Sequence, residues 1–405
     1  MSRKKIFFLI PRLAAGGAEQ VFLTLLRHLD RKSYEPGLVT IGKLTGENGQ
    51  LRESLAPDVR LFELGLSRVR YSVPALVRLV RSEQPDVIIS TLGHLNVLLL
   101  SIRRFLPPRT KILVRETNTV SEDLKGTSRW WFKPLIRLSY AKADRVICQA
   151  SEMKRDLVDN FSVAGEKAVV IHNPVDLERI ESLSGASDNP FPSSAKGKNI
   201  LCVGRLSQQK RFDVAINAFS RYLSQNRSAQ LWIIGQGPQQ KELESLCSSL
   251  GISGSVHFVG FKSNPYLWMK NCDLFMLTSQ YEGLPNVLLE ALACGCPVCA
   301  VDCPGGVREI LELTENVNRL LPYPDFSIDE SLFAPMDALR SRELLRLHFG
   351  VETIVKKYEE VFENSTNVKQ KTQPSITSPE KSDRFYEIAS KPSESSAGDL
   401  LQPRL

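Results

Sequence analysis

A run of short apolar segments alternating with helical patterns occurs twice along this chain, and that repeat limits the fold. "KIFFLI" at residues 5–10 is followed by the glycine-bearing "PRLAAGGAEQ" and the helical "VFLTLLRHL". "GLVTI", "VRLFEL", "DVIIS", "KILVRE" and "DRVICQA" are further strand candidates, with helical periodicity between most of them, and "AVVIHNPVD" closes the first half. After the Ser-, Gly- and Pro-rich "SLSGASDNPFPSSAKGK", the alternation restarts with "NILCVGRL", "AQLWIIGQG", "SVHFVGF" and "DLFMLTS". Strands alternating with helices imply a parallel sheet covered on both faces. Two such halves imply an α/β chain of two Rossmann-like domains with parallel sheets facing a central cleft. The expected division is an N-terminal domain over 1–180, a linker over 181–197, a C-terminal domain over 198–349, a last amphipathic helix over 350–363 and a Ser/Pro/Lys-rich disordered tail over 364–405.

In such folds ligands bind outside the carboxyl ends of the strands, so the loops there are the candidate site. "YEGLPNVLLEALACGCPV", residues 281–298, places Glu282 and Glu290 eight positions apart around a Gly-Leu-Pro turn. Pro285 suits a first helical position, which predicts a helix from about Leu284 to a Gly295 stop. The amides of Asn286 and Val287 then face outward at a helix N-terminus, an anion site, next to Gly283. "VGRLSQQKRFD" adds Arg205 and Lys210 after a strand, two cations able to neutralise a diphosphate and to stabilise charge on a departing one. Gly16 and Gly17 stand between the first strand and helix, where a ligand can approach the backbone closely. This loop lacks the full G-x-G-x-x-G dinucleotide signature. On spacing alone, Glu282 and Glu290 fit a solvated loop residue and an ordinary helix residue as well as a site.

Charge adds a partner question. The chain's net +7 is concentrated between Arg60 and Arg145, with 16 Lys/Arg against 7 Asp/Glu. Within residues 129–142, Arg129, Lys133, Arg137 and Lys142 are interleaved with Trp130, Trp131, Phe132 and Tyr140. That mixture fits an amphipathic helix on an anionic membrane surface, a nucleic-acid patch, or a helix that buries its aromatics in its own domain. The membrane surface is retained as the expected partner and nucleic acid is not. The N-terminal apolar run is too short for a membrane span, and the eight cysteines show no secreted spacing. The expectation is a cytoplasmic protein, peripheral at the cytosolic membrane face. Cys294, Cys296, Cys299 and Cys303 lack paired C-x2-C knuckles and are expected to pack rather than bind metal.

"GGAEQ", "VGRLSQQK", "WIIGQGP", "VHFVGF" and above all "YEGLPNVLLEALACGCPV" with "PGGVREIL" resemble the family 4 retaining glycosyltransferases of the GT-B fold, over most of residues 5–363. The resemblance implies transfer of a hexose or N-acetylhexosamine from a nucleotide diphosphate sugar, UDP for preference, to a glycan or lipid-linked acceptor, with no metal or other cofactor. It makes Glu282 and Glu290 the family's E-x7-E pair. Glu290 would accept from the ribose hydroxyls and Glu282 from the transferred sugar; Arg205 and Lys210 would hold the diphosphate, with the amides at Asn286 and Val287 and the glycines Gly16 and Gly17 completing the cradle. Phe261 and Lys262 would lie near the base. Many relatives carry a histidine in the loop aligned with "VRETNT", where this chain has Glu116, Thr117 and Asn118. Glu116, Asn118 and His94 of "STLGHLN" are therefore acceptor-side candidates. A catalytically inactive sugar-nucleotide-binding scaffold is the alternative, and a nicotinamide-dependent oxidoreductase a third class against which the missing glycine signature speaks.

Overall fold

The structure is a computed structural model that describes residues 2–12, 16–44, 55–125, 132–185, 189–193 and 197–366. The first half builds strands β1 (Lys4–Ile10), β2 (Tyr34–Thr40), β3 (Arg60–Glu63), β4 (Val87–Thr91), β5 (Lys111–Arg115), β6 (Arg145–Cys148) and β7 (Ala168–Val170). Its helices are α1 (Gly17–His28), α2 (Val73–Glu83), α3 (Gly93–Ser101), α4 (Val120–Leu124), α5 (Phe132–Tyr140), α6 (Ser151–Phe161) and α7 (Leu177–Ser184). The second half gives β8 (Asn199–Val203), β9 (Gln230–Ile234), β10 (Val256–Gly260), β11 (Leu274–Leu277), β12 (Val298–Val301) and β13 (Leu320–Leu321). Between and after these strands run α8 (Phe212–Gln225), α9 (Gln240–Ser249), α10 (Tyr266–Asn271), α11 (Asn286–Cys294), α12 (Val307–Leu313), α13 (Ala338–Phe349) and α14 (Val351–Thr366).

Both sheets are parallel throughout, in the orders β3-β2-β1-β4-β5-β6-β7 and β10-β9-β8-β11-β12-β13. This is the α/β architecture the alternation predicts. Central strands such as β1 and β4 read as unbroken apolar runs because helices bury both faces, leaving Ile6, Phe8, Leu9 and Ile89 without solvent exposure. One apolar layer is continuous between the two halves, with Leu99, Val114 and Tyr140 on one side and Leu288, Val307 and Leu345 on the other.

The chain order reverses direction between β1 and β4 in the first sheet and between β8 and β11 in the second. Those are the switch points where crevices open at strand ends, and Gly16, Gly17, His94, Arg205, Lys210 and Glu282 all follow these four strands.

Two differences from expectation have simple causes. The last helix, α14, runs through Thr366 and does not stay with the second sheet. Its apolar face, Ile354, Tyr358 and Phe362, packs on Phe8 and Phe22 of the first half. Tyr34 donates to Glu363 at 3.0 Å, and Lys4 pairs with the same carboxylate. Amphipathic periodicity shows that a helix has a buried face without showing what covers it. Helix α11 starts at Asn286, two residues later than expected, with Pro285 extended (φ −72°, ψ 102°) as the cap. Residues 367–405 lie outside the described part.

Candidate active site

One polar cluster assembles at the ends of β8 and β11. A 3-10 turn over Gln208–Lys210 follows β8, and Thr278 Oγ1 donates to the carbonyls of Lys210 and Arg211 at 3.1 and 3.0 Å, tying the two loops together. This brings Lys210 Nζ to 2.5 Å from Glu282 Oε1. Ser279 Oγ donates to the same oxygen at 2.6 Å, and the glutamate is only 5% exposed. A buried carboxylate needs such partners, and its Oε2 carries none of these bonds. Arg205, five residues before Lys210, is exposed and makes no side-chain hydrogen bond or ion pair among the described residues. An exposed guanidinium five residues from a paired ammonium leaves this loop with a cation able to meet an anion.

The backbone around Glu282 is held from two sides. Glu282 N donates to Pro304 O at 2.9 Å and Gly306 N to Gly283 O at 2.7 Å. At Gly305 (φ +120°) an added Cβ would lie 2.1 Å from the Glu282 carbonyl oxygen, so only glycine allows this turn. From the first half, Thr119 Oγ1 donates to the Glu282 carbonyl at 3.1 Å. Gly283 abuts the Thr117 carbonyl so closely that a Cβ would sit 2.1 Å from its oxygen.

Helix α11 begins at the same place. Asn286 and Val287 are its first two residues, and their amides donate to no backbone carbonyl among the described residues. One turn further, Glu290 is half-buried and accepts from Tyr266 at 3.4 Å. Burial pushes its carboxyl up to about 7, against the pull of the Tyr266 hydrogen bond and the Arg179 charge. Glu282 and Glu290 therefore differ in state. The first is neutralised by Lys210; the second awaits hydrogen-bond donors, such as hydroxyls.

The first half contributes a second cluster. Glu116, at the end of β5, is buried and accepts at Oε1 from Asn96 Nδ2 (2.9 Å) and from the Tyr140 hydroxyl. Burial pushes its carboxyl up to about 8, opposed by the Asn96 hydrogen bond. Oε2 lies on the side of Gly93, the first residue of α3, next to exposed His94. Neighbouring Arg115 is fully buried and donates to Asn173 Oδ1 at 2.5 Å and Thr91 Oγ1 at 3.4 Å. Asn173 Nδ2 in turn donates to Gln149 Oε1 (3.0 Å), the Leu284 carbonyl (3.2 Å) and Asn286 Oδ1 (2.6 Å). Asn286 Nδ2 reaches the Gly17 carbonyl at 3.3 Å. The cleft faces thus meet through the first residue of α11.

Lys210, Glu282, Gly283, Asn286 and Val287 come together, and Gly17 joins them through Asn286, while Arg205 lies exposed in the loop that carries Lys210. Glu290 lies deeper on the same helix. Gly16 caps α1 under the Glu19 carboxylate, whose Oε2 lies 2.5 Å from where a Gly16 Cβ would be. Glu116 and Asn118 face the cleft's first half, Asn118 donating to Asp123 at 3.2 Å. Gln149, Asn173, Thr119 and Ser279 escaped the sequence reading. Each follows the carboxyl end of a strand, so the strand-end rule applied to every strand would have found them.

Two further groups of residues singled out in the sequence take the following places. Tyr140 is a core residue and Phe132 packs against the core, so the described aromatics of residues 129–142 serve the interior. Arg129, Trp130 and Trp131 lie outside the described residues. Cys296, Cys299 and Cys303 are buried and Cys294 half-buried, each as a free thiol. Among the described residues no group of three or more His, Cys, Asp or Glu side chains is placed to hold a metal ion, and no helix is long and apolar enough to cross a membrane.

Comparison with known proteins places this geometry. The family model for Glycosyltransferase Family 4 matches residues 15–179 and that for glycosyl transferases group 1 matches residues 186–345. The chain is 31% identical, over 76% of its own length and 83% of the relative's, to the N-acetylgalactosamine-N,N'-diacetylbacillosaminyl-diphospho-undecaprenol 4-alpha-N-acetylgalactosaminyltransferase of Campylobacter jejuni. It is 24% identical to the amylovoran biosynthesis glycosyltransferase AmsD of Erwinia amylovora, over 88% and 99%. Anabaena HepE, solved in complex with UDP and glucose, superimposes with a TM-score of 0.72 at 20% identity, covering 89% of this chain and all of that one, a likeness of fold. With both halves matched in order and the two-sheet fold shared, the chain belongs to the GT4-type group 1 glycosyltransferases of the GT-B fold.

Proposed function

We propose that this glycosyltransferase moves a hexose or N-acetylhexosamine from a UDP-sugar, with retention and without a metal, to a glycan or lipid-linked acceptor in polysaccharide or glycoconjugate assembly. The observation that carries the reading is the Lys210–Glu282 ion pair next to the unpaired amides that open α11, with an exposed Arg205 in the same loop as Lys210. A diphosphate at the helix end would draw Lys210 toward itself and free Glu282 Oε1 to accept from sugar hydroxyls. Arg205 and Lys210 then supply the positive charge a departing diphosphate requires. Glu290 accepts from the ribose. No carboxylate acts as a covalent nucleophile in this scheme; Glu282 is held by Lys210 and Ser279 in an orienting role, and the chemistry rests on positioning and charge. UDP as donor is supported by HepE, whose complexes hold UDP, UDP-glucose, and UDP with glucose. The lipid-linked acceptor is supported by the Campylobacter relative, whose name contains a diphospho-undecaprenol.

The reading extends to an anionic membrane surface on the first half. Lys133, Arg137, Leu138 and Lys142 are exposed on and after α5, and none of these cations is in an ion pair among the described residues. Arg70 lies over exposed Tyr71 and Arg104 over exposed Phe105, and these residues belong to segments that, like α5, pack against α3. Aromatic tips beside unneutralised cations suit the headgroup level of an anionic bilayer. Substituting Trp130 and Trp131 is expected to lower co-sedimentation with phosphatidylglycerol vesicles; unchanged binding would leave those residues out of the surface.

Thermal unfolding of wild type and Glu290→Ala with UDP, GDP, ADP and NAD tests the donor assignment. A ligand at a hundred times its dissociation constant adds about 2.7 kcal/mol to the state that binds it. The expected result is a shift with UDP alone that the variant loses. A shift with NAD alone would overturn the reading. Binding of UDP without hydrolysis or transfer of any UDP-sugar would favour the scaffold alternative, to which the buried glutamate at 116 in place of a loop histidine gives weight.

A further inference from the structure

The loop that carries Glu282 is held by a turn from its own half, Pro304–Gly306, and that turn is held by a side chain from the other half. Glu152, the second residue of α6, accepts a hydrogen bond at Oε2 from Gly305 N at 2.9 Å. Gly305 stands between Pro304, which accepts from Glu282 N, and Gly306, which donates to Gly283 O. The path from Glu152 to the Glu282 backbone therefore crosses one peptide turn and has no slack in it, since the Gly305 Cα is packed against the Glu282 carbonyl.

The reverse contact exists as well. Glu309, the third residue of α12, accepts at Oε2 from Ser151 N at 2.7 Å and at Oε1 from Ser151 Oγ at 3.1 Å, which caps the start of α6. His172 Nε2 lies 2.7 Å from the same Oε1, and these three contacts hold the Glu309 carboxyl below its ordinary range despite its burial. Helices α6 and α12 thus exchange carboxylates, each satisfying an amide at the start of the other.

We infer that Glu152 is a positioning residue for the transfer reaction: through Gly305 it sets the place of Glu282 when the two halves meet, with Glu309 and His172 fixing the angle at which they do so. The inference rests on the reading of Glu282 as the residue that orients the donor sugar. It assigns Glu152 no contact with substrate. Its effect is expected on the sugar end of the donor and not on the nucleotide end, because the Pro304–Gly306 turn contacts Glu282, Gly283 and Leu284 and no hydrogen bond joins it to Glu290 or Tyr266 among the described residues.

The test compares Glu152→Ala with Glu152→Gln in the full chain, using UDP for binding and UDP-N-acetylgalactosamine and UDP-glucose for turnover. Glu152→Ala is expected to lower kcat by about tenfold, a displacement effect, while the dissociation constant for UDP stays within about twofold of wild type. Glu152→Gln keeps an oxygen that can accept from Gly305 N, and it is expected to restore most of the rate. Hydrogen exchange at the Gly305 amide, which needs no donor, is expected to quicken by about tenfold in Glu152→Ala and much less in Glu152→Gln. Should the alanine variant fail to fold, Glu152→Asp, whose carboxylate is withdrawn by one methylene, is expected to show the same split to a smaller degree. Equal loss of UDP affinity and kcat in both variants, or an unchanged kcat in Glu152→Ala, would overturn the inference. A wild-type chain that takes up no UDP would fail the donor reading instead, and unchanged exchange at Gly305 would then still refute the contact.

Discussion

The two faces of the cleft handle charge in opposite ways. On the second half Lys210 is drawn onto Glu282, Arg205 stands exposed, and the opening amides of α11 are unpaired. On the first half the central carboxyl, Glu116, is buried among Asn96, Tyr140 and the backbone, and burial pushes it up to about 8, which favours the protonated form at pH 7. One face carries a lysine–glutamate ion pair and an exposed arginine. The other is an uncharged set of amide, hydroxyl and carboxylic acid groups, which matches the hydroxyls of a glycan. The asymmetry teaches that the two faces are separable by charge state even before any ligand is considered.

The sharpest way to break that division is to hold the faces apart. Gly283→Ala would place a Cβ against the Thr117 carbonyl, where backbone on both sides leaves nothing flexible to yield. Transfer is expected to fall by on the order of 10²-fold or more, while UDP binding at Glu290 persists; unchanged transfer would mean that the faces need not meet. Arg205→Ala comes next. Removing one preorganised cation from a developing diphosphate charge is expected to lower kcat by about 10²-fold, with a smaller loss of UDP affinity. Equal losses in both would make Arg205 a ground-state anchor only.

Glu290→Ala probes the nucleotide end alone. Loss of a carboxylate that accepts from hydroxyls is expected to weaken UDP by about tenfold, measured by calorimetry. An intact affinity would move the ribose elsewhere and remove Glu290 from the donor face.

Much of this was legible in the residues. The strand-helix alternation gave both sheets, because parallel strands buried on two faces announce themselves as apolar runs. The E-x7-E pair with Arg205 and Lys210 was named through the resemblance, since those residues sit in two short local stretches that spacing alone left open. The acceptor face was only half visible. Glu116 was named, but Asn96, Tyr140, Gln149 and Asn173 come from four separate strand ends and helices, and nothing local ties them together. Tyr140 was read with a surface aromatic group when its ring fills the core. Helix α14 was named without a partner, and its partners Phe8, Phe22 and Tyr34 lie more than 300 residues earlier. β13 is two residues long, too short for any periodicity to show. What escaped was long-range pairing, the part of the fold that no window of residues contains.

The smallest expected effect gives the finest test of the neutral face. Glu116→Gln replaces a protonated carboxyl with a near-isosteric amide, so at pH 7 activity is expected to change by no more than about twofold, well inside the range of an exposed substitution. The difference appears with pH. In the unfolded chain this carboxyl ionises near its ordinary 4.5, whereas in the folded protein it holds its proton to about 8. Between those values the folded state binds more protons than the unfolded one. The contribution to stability is therefore full below about pH 4.5 and is lost as pH rises through the window, by up to ~1.4 kcal/mol per pH unit. Glu290 acts with the same sign, but only to about 7. Both groups titrate between pH 7 and 8, so it is the comparison of wild type with Glu116→Gln, which leaves Glu290 in place, that isolates Glu116 in that interval. Denaturant unfolding across that interval is expected to show a slope in wild type that is shallower in Glu116→Gln, and above pH 8 the variant should keep its transfer rate while wild type declines as a buried charge forms beside Asn96 and Tyr140. Equal slopes and equal decline would mean that Glu116 is already ionised at neutral pH, and both cleft faces would then be charged alike.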